Sequence, residues 1–135
     1  METSASVLTQ FGLITNDTNK MLANTEMATS TLTFVANKTS AGFSDLGEAM
    51  QNVGPIAHSN NQSLQDMASA LGIMSNAGIK GGEAGTYLAN VLRNLATPTK
   101  TQKQALQELG VSAFDSSGKM RPLPAILDDI ATATE

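Results

Sequence analysis

The sequence predicts a mainly α-helical protein: a bundle of short amphipathic helices and helical hairpins, with one small β-hairpin near residues 111–121. Three observations predict it. Apolar residues recur at i, i+3, i+4 and i+7 in one segment after another, which is the spacing of a single buried helix face. Capping residues precede these stripes, and Gly or Pro closes them. The apolar side chains are mostly Ala, Leu and Met, with only 4 Phe, 1 Tyr and no Trp.

The opening Met1–Ser6 reads as a chain entered in mid-element. Asn16-Asp17-Thr18 supplies several N-cap residues in a row. Met21, Ala28, Leu32, Val35 and Ala36 follow as an approximate stripe, and 38–42 breaks it. Ser44 is the expected cap of the next helix, whose face is Leu46, Ala49, Met50 and Val53. Gly54-Pro55 is expected to stop or kink that helix.

Ser63 with Asp66 resembles a capping box. Leu64, Met67, Ala68, Leu71 and Met74 form the cleanest stripe, with Gly78 as its C′ residue. Gly81-Gly82 reads as a turn before the stripe Ala84, Leu88, Val91, Leu92 and Leu95, which Thr97-Pro98 ends. The stripes 64–74 and 84–95 are expected to pack as an antiparallel hairpin. Thr99 with Gln102 is a second capping box, opening a short helix with Leu106 and Leu109 that Gly110 closes.

Residues 111–121 change character: two short segments flank Asp115-Ser116-Ser117-Gly118, with Gly118 supplying positive φ. Pro124 then suits the first turn of a last helix carrying Ile126, Leu127 and Ile130 to the chain end. The helix has no stop at Thr132–Glu135, so the chain reads as a fragment. Residues 26–37 weakly echo 66–76, an offset typical of stacked helical hairpins.

Composition narrows function. Ala, Thr, Ser and Asn make up 55 of 135 residues, so a core of small side chains buries little area per residue. The isolated chain is expected to be marginally stable and to gain from further copies or a larger parent. No run approaches the ~20 apolar residues of a membrane span. The absence of Cys excludes disulfides and Cys-ligated metals. A net charge of −4 disfavours unaided, sequence-specific nucleic-acid binding.

The chemistry-bearing residues do not converge. Asp128 and Asp129 are adjacent on a helix and point about 100° apart. Asp115 fits an Asx turn better than a calcium loop, whose later ligands are missing. The Gly-rich stretch Gly78–Gly85 carries Lys80, but it lacks the preceding strand and the Gly-Lys-Ser/Thr ending of a phosphate loop. Gly85 reads instead as a site of close helix approach. His58, the one histidine, lies in a polar stretch with Ser59, Asn60 and Asn61 and reads as exposed. Met21, Met27, Met50, Met67 and Met74 read as core filler that can double as adaptable partner surface. Lys100, Lys103, Lys119 and Arg121 read as a solvated face. No catalytic, cofactor-binding or metal-binding residue is expected, and no cofactor.

From Phe43 to Ile130 the chain resembles the core region of phage tail tape measure proteins. Three segments carry the resemblance: Phe43–Met50 with Val53-Gly54-Pro55; Ala70–Gly81 running through Glu83–Gly85 to Leu95–Pro98; and Leu109–Val111 through Asp115 and Gly118–Pro124 to Ile126-Leu127. Residues 1–40 match more loosely, and 58–61 are more polar than in family examples, which suggests a longer exposed turn.

The resemblance implies a single helical domain, 1–135, from a much longer phage or prophage tail assembly protein that templates tail tube length inside the tube. Implied partners are the tail tube protein, tail assembly chaperones and tail tip proteins, with self-association through helices. The implied location is the virion tail, and the host cytoplasm during assembly. The alternative is a membrane-active helical module assisting DNA ejection, with membrane contact only then. Gly78, Gly81, Gly85, Gly110, Gly118, Pro122 and Pro124 read as architectural.

Overall fold

A computed structural model describes residues 2–134. The described chain is seven helices and no sheet: α1 Glu2–Gln10, α2 Thr18–Lys38, α3 Phe43–Ser59, α4 Leu64–Asn76, α5 Gly81–Ala96, α6 Lys100–Leu109 and α7 Leu123–Ala133. The expected helical class holds. The expected hairpin near 111–121 shrinks to one antiparallel bridge, Phe114 with Met120, around a tight turn at Gly118 (φ +84°).

Local chemistry sets the helix starts. Asp17 accepts from the backbone N–H of Asn19 and Lys20, Ser63 from Asp66, and Thr99 from Gln102. Among the described residues only Thr99 and Gln102 form the full reciprocal box. α3 begins one residue before Ser44, so Ser44 is not its cap; the Asp45 carboxylate accepts from the Gly42 N–H at 3.4 Å instead.

Four helices end in one way. At α1, α3, α4 and α6 a left-handed residue follows the helix, and the next N–H bonds back five residues: Leu13 to Leu8, Gln62 to Ala57, Ile79 to Met74 and Val111 to Leu106. The left-handed residue is Gly at three ends and Asn61 (φ +61°) at the fourth. The polar 58–61 stretch is therefore the end of α3 and a short connection to α4, not a long exposed turn.

Two further expectations give way. α3 does not stop at Gly54-Pro55 but continues to Ser59. An interior Pro costs roughly 3 kcal/mol; the burial of Val53, Gly54 and Ala57 around it offsets that. Gly81-Gly82 is not a turn before α5 but its first two residues.

α3 is the central helix. α5 runs along it most extensively, while α1 and α4 also pack on it, and α2 bridges α1 and α4. α4 and α5 do touch, but α5's principal partner is α3, not α4 as the hairpin expectation had it. Gly85 explains the partnership. A Cβ there would lie 2.3 Å from the Ala49 carbonyl oxygen, so the two backbones are in contact. The α1–α3 and α2–α4 crossings also close over a glycine: Gly54 faces Gln10, and Gly72 faces Val35 and Thr39. The buried core is built from Leu32, Leu46, Met50, Met67, Leu71 and Leu92, with Leu8 from α1 and Leu123 and Ile126 from α7.

Candidate interaction surface

The chemistry-bearing residues stay apart in space. His58 is exposed on α3, its ring lying against Gly12. Asp129 pairs with Arg121 at 2.7 Å, while Asp128 faces solvent. Among the described residues no group of three or more His, Cys, Asp or Glu could hold a metal ion.

Asp115 makes an Asx turn. Its Oδ1 accepts from the Ser117 N–H (2.9 Å), the Ser117 hydroxyl (2.6 Å) and the Lys119 N–H (3.1 Å). The Ser117 hydroxyl and the Lys119 amide hold its carboxyl below the usual value of 3.8. All of that oxygen's partners belong to the turn itself.

The Gly-rich stretch builds a helix end and a helix start. Gly78 and Ile79 close α4, and Lys80 is the extended N-cap of α5 without a side-chain cap bond. The Glu48 carboxylate of α3 lies against this helix start, 3.0 Å from where a Gly82 Cβ would be. A carboxylate is favourable at the positive end of a helix and would repel an incoming phosphate.

Gln62 is a structural residue that the pattern reading missed. It is 5% exposed. Its Nε2 donates to the Arg121 carbonyl at 2.9 Å, and its Oε1 accepts from the Leu123 N–H at 2.7 Å. It thereby satisfies an N-terminal amide of α7 and ties that helix to the α3–α4 connection. No periodicity marks such a residue; the only signal is its place beside a left-handed Asn.

What the fold presents outward is apolar surface. Ile14, Leu22, Phe34 (62% exposed), Ile73 (68% exposed), Tyr87 and Leu127 project into solvent, with Lys38 Nζ 5.9 Å from the Phe34 ring. Of the five methionines singled out in the helical stripes, Met50 and Met67 are buried and Met21, Met27 and Met74 are half-buried against the core. Lys100, Lys103 and Lys119 are exposed, and Arg121 is half-buried in its ion pair.

Among the open grooves are two with apolar walls. One, about 300 Å³, lies between α1, α2 and the start of α3, lined by Leu8, Ile14, Met21 and Phe43. The other, about 540 Å³, lies between the end of α5, α6 and residues 111–114, lined by Leu95, Pro98, Leu106, Val111 and Phe114. α6 has no buried residue. These are features of a chain that packs on neighbours.

Comparison with known proteins agrees. The family described as phage-related minor tail protein matches residues 1–135. The chain is 42% identical over 133 residues, 98% of its length, to a tape measure protein of Pneumococcus phage Dp-1. It is 36% identical over 104 residues, 77% of its length, to a probable tape measure protein of Escherichia phage P2. It spans only 11% and 13% of those two relatives. No solved structure matches.

Proposed function

Because the chain belongs to the phage-related minor tail protein family, we propose that it is a folded structural segment of a tail tape measure protein, one piece of a much longer chain. It serves tail assembly: the parent runs inside the tail tube and templates its length, and this segment packs there against other tail components. The observation that carries this reading is the 42% identity to a tape measure protein along nearly the whole segment. The site supports it, because the outward features are apolar grooves and exposed helix faces, with no convergent catalytic set among the described residues.

The finer assignments follow from that reading. The partners are the tail tube protein, tail assembly chaperones and tail tip proteins, and further copies through helix faces. The location is the tube interior in the virion, and the host cytoplasm during assembly. The segment does no catalysis. The ejection reading is second: no described helix is long and apolar enough to cross a membrane, so lipid contact would have to use an amphipathic face.

The test is in-frame deletion of these 135 residues from the parent gene, with tail length measured by electron microscopy. The longest helix, α2, spans about 30 Å at ~1.5 Å per residue. A folded segment predicts failed assembly, or tails shorter by no more than a few tens of ångströms. Shortening by roughly 200 Å would mean the chain is read out as continuous helix, overturning the folded reading. Normal tails of unchanged length would overturn the assembly role and favour ejection.

A further inference from the structure

A cavity of about 10 Å³ lies where α3, α4 and α5 meet, with Asp45, Leu71, Ser75, Lys80, Gly81 and Ala84 in its wall. Three observations bear on its content. Ser75 is 3% exposed, and its hydroxyl oxygen is buried with no hydrogen-bond partner. A helical Ser points to solvent or bonds back to the carbonyl four residues earlier; this one does neither and lines the cavity. Second, α5 starts at the same cavity with no side-chain cap on Lys80 and with two glycines in its first turn. Its leading N–H groups have no intrahelical acceptor. Third, the charged groups in the wall, Asp45 and Lys80, cancel, and the Glu48 carboxylate standing outside it against Gly81 and Gly82 disfavours an anion. The fitting occupant is neutral and both donates and accepts.

Size narrows the occupant to one species. A space of about 10 Å³ is the lower limit for one water and too small for a larger anion. We propose that a single water is bound here as a built part of the fold. It pairs with the Ser75 hydroxyl and with the first-turn amides of α5, and the Asp45 carboxylate is available to accept its remaining proton. Leaving a buried hydroxyl unpaired would be costly, and a water with two or more polar partners removes that cost. The site joins the end of α4 to the start of α5 on the flank of the α3–α5 seam. It holds whether or not the segment works in a tail.

The experiment is water–amide cross-relaxation by NMR on this chain, read at Gly81 and Gly82. Expected are cross-peaks to a long-lived water, absent in Ser75→Ala. A melting comparison adds a second readout. Ser69→Ala, on the exposed face of α4, controls for the helix propensity gained with Ala. Ser75→Ala should melt roughly 3 °C below it, the size of one lost buried hydrogen bond. Absence of the cross-peaks in the unaltered chain overturns the proposal. So does Ser75→Ala melting above Ser69→Ala, because an unhydrated orphan hydroxyl is better removed.

Discussion

The five helices α1–α5 and the C-terminal pair α6–α7 have the same kind of amphipathic sequence and different fates. In the first group each helix runs beside at least two others, and three of the crossings close over a glycine. Neither α6 nor α7 runs along another helix. α7 is held by Leu123 and Ile126 in the core, by Gln62, and by the Arg121–Asp129 pair. α6 has none of these, only the half-buried Leu106 and Leu109, set between the groove of about 540 Å³ and a further open groove lined by Asn94, Gln102 and Ala105. An apolar stripe says that a helix needs a partner. Whether the partner lies in the same chain depends on small residues placed, on either helix, to let another backbone in; α6 has no glycine within it, and Gly54, Gly72 and Gly85 all face other helices.

The sharpest break of this comparison puts one change on each side. Leu71 is 2% exposed in the bundle. Leu71→Asp buries a carboxylate with no partner and should cost more than about 4 kcal/mol, enough to unfold a marginal domain. Leu106→Asp should cost no more than about 1 kcal/mol, because α6 has no buried residue. Circular dichroism melts of the two variants check this. Equal losses would mean that α6 is as much a part of the core as α4.

Glycines sharpen it next. Gly85→Ala drives a methyl into the Ala49 carbonyl and should cost roughly 3 kcal/mol, since backbone rather than side chain must move. Gly110→Ala meets open space and bears only the left-handed strain of φ +73°, about 1 kcal/mol. Urea midpoints should rank them in that order.

The link between the two regions is the third point of attack. Gln62→Ala leaves the Leu123 N–H and the Arg121 carbonyl without their partner and should cost roughly 2 kcal/mol. Hydrogen exchange should speed in α7 well before α3 and α5. Uniform acceleration would mean α7 is not a separable unit.

These contrasts also mark what the sequence could tell. Stripes made α2 to α6 legible, because burial on one face leaves a 3.6-residue period whatever the partner is. The Thr99–Gln102 box and the left-handed glycines 78, 110 and 118 were legible because few residues do those jobs. The end of α3 was not, because Asn61 does a glycine's job there and Pro55 suggests a stop that tertiary packing overrides. The helix α1, with Val7 and Leu8 buried and Phe11 buried just after it, was masked by a Ser- and Thr-rich opening. Pairing was least legible: a stripe names a face and not the helix it meets, so α5 was assigned to its sequence neighbour α4 rather than to α3. The same holds for the candidate surface. Exposed apolar residues can be named only once the fold has covered the others, and Gln62 carries no pattern.

The smallest expected effect lies in the turn between α6 and α7. Asp115 is fully exposed, and its carboxyl is held below 3.8 chiefly by the Ser117 hydroxyl, then by the Lys119 amide. A carboxyl depressed in the folded state adds stability above its unfolded value, and that contribution fades as pH falls through the lower folded value. The window therefore lies from about pH 4 downward. Within it, the Ser117 and Lys119 amide resonances should shift together with a midpoint below 3.8, while those of α3 and α5 hold. In Asp115→Asn the shift should vanish and the neutral-pH melting temperature should scarcely change, since the turn's ties to α7 run through Arg121 and Gln62 instead. If the bundle amides moved at the same midpoint, the turn would be coupled to the core, and the division between the two regions would fail at its weakest join.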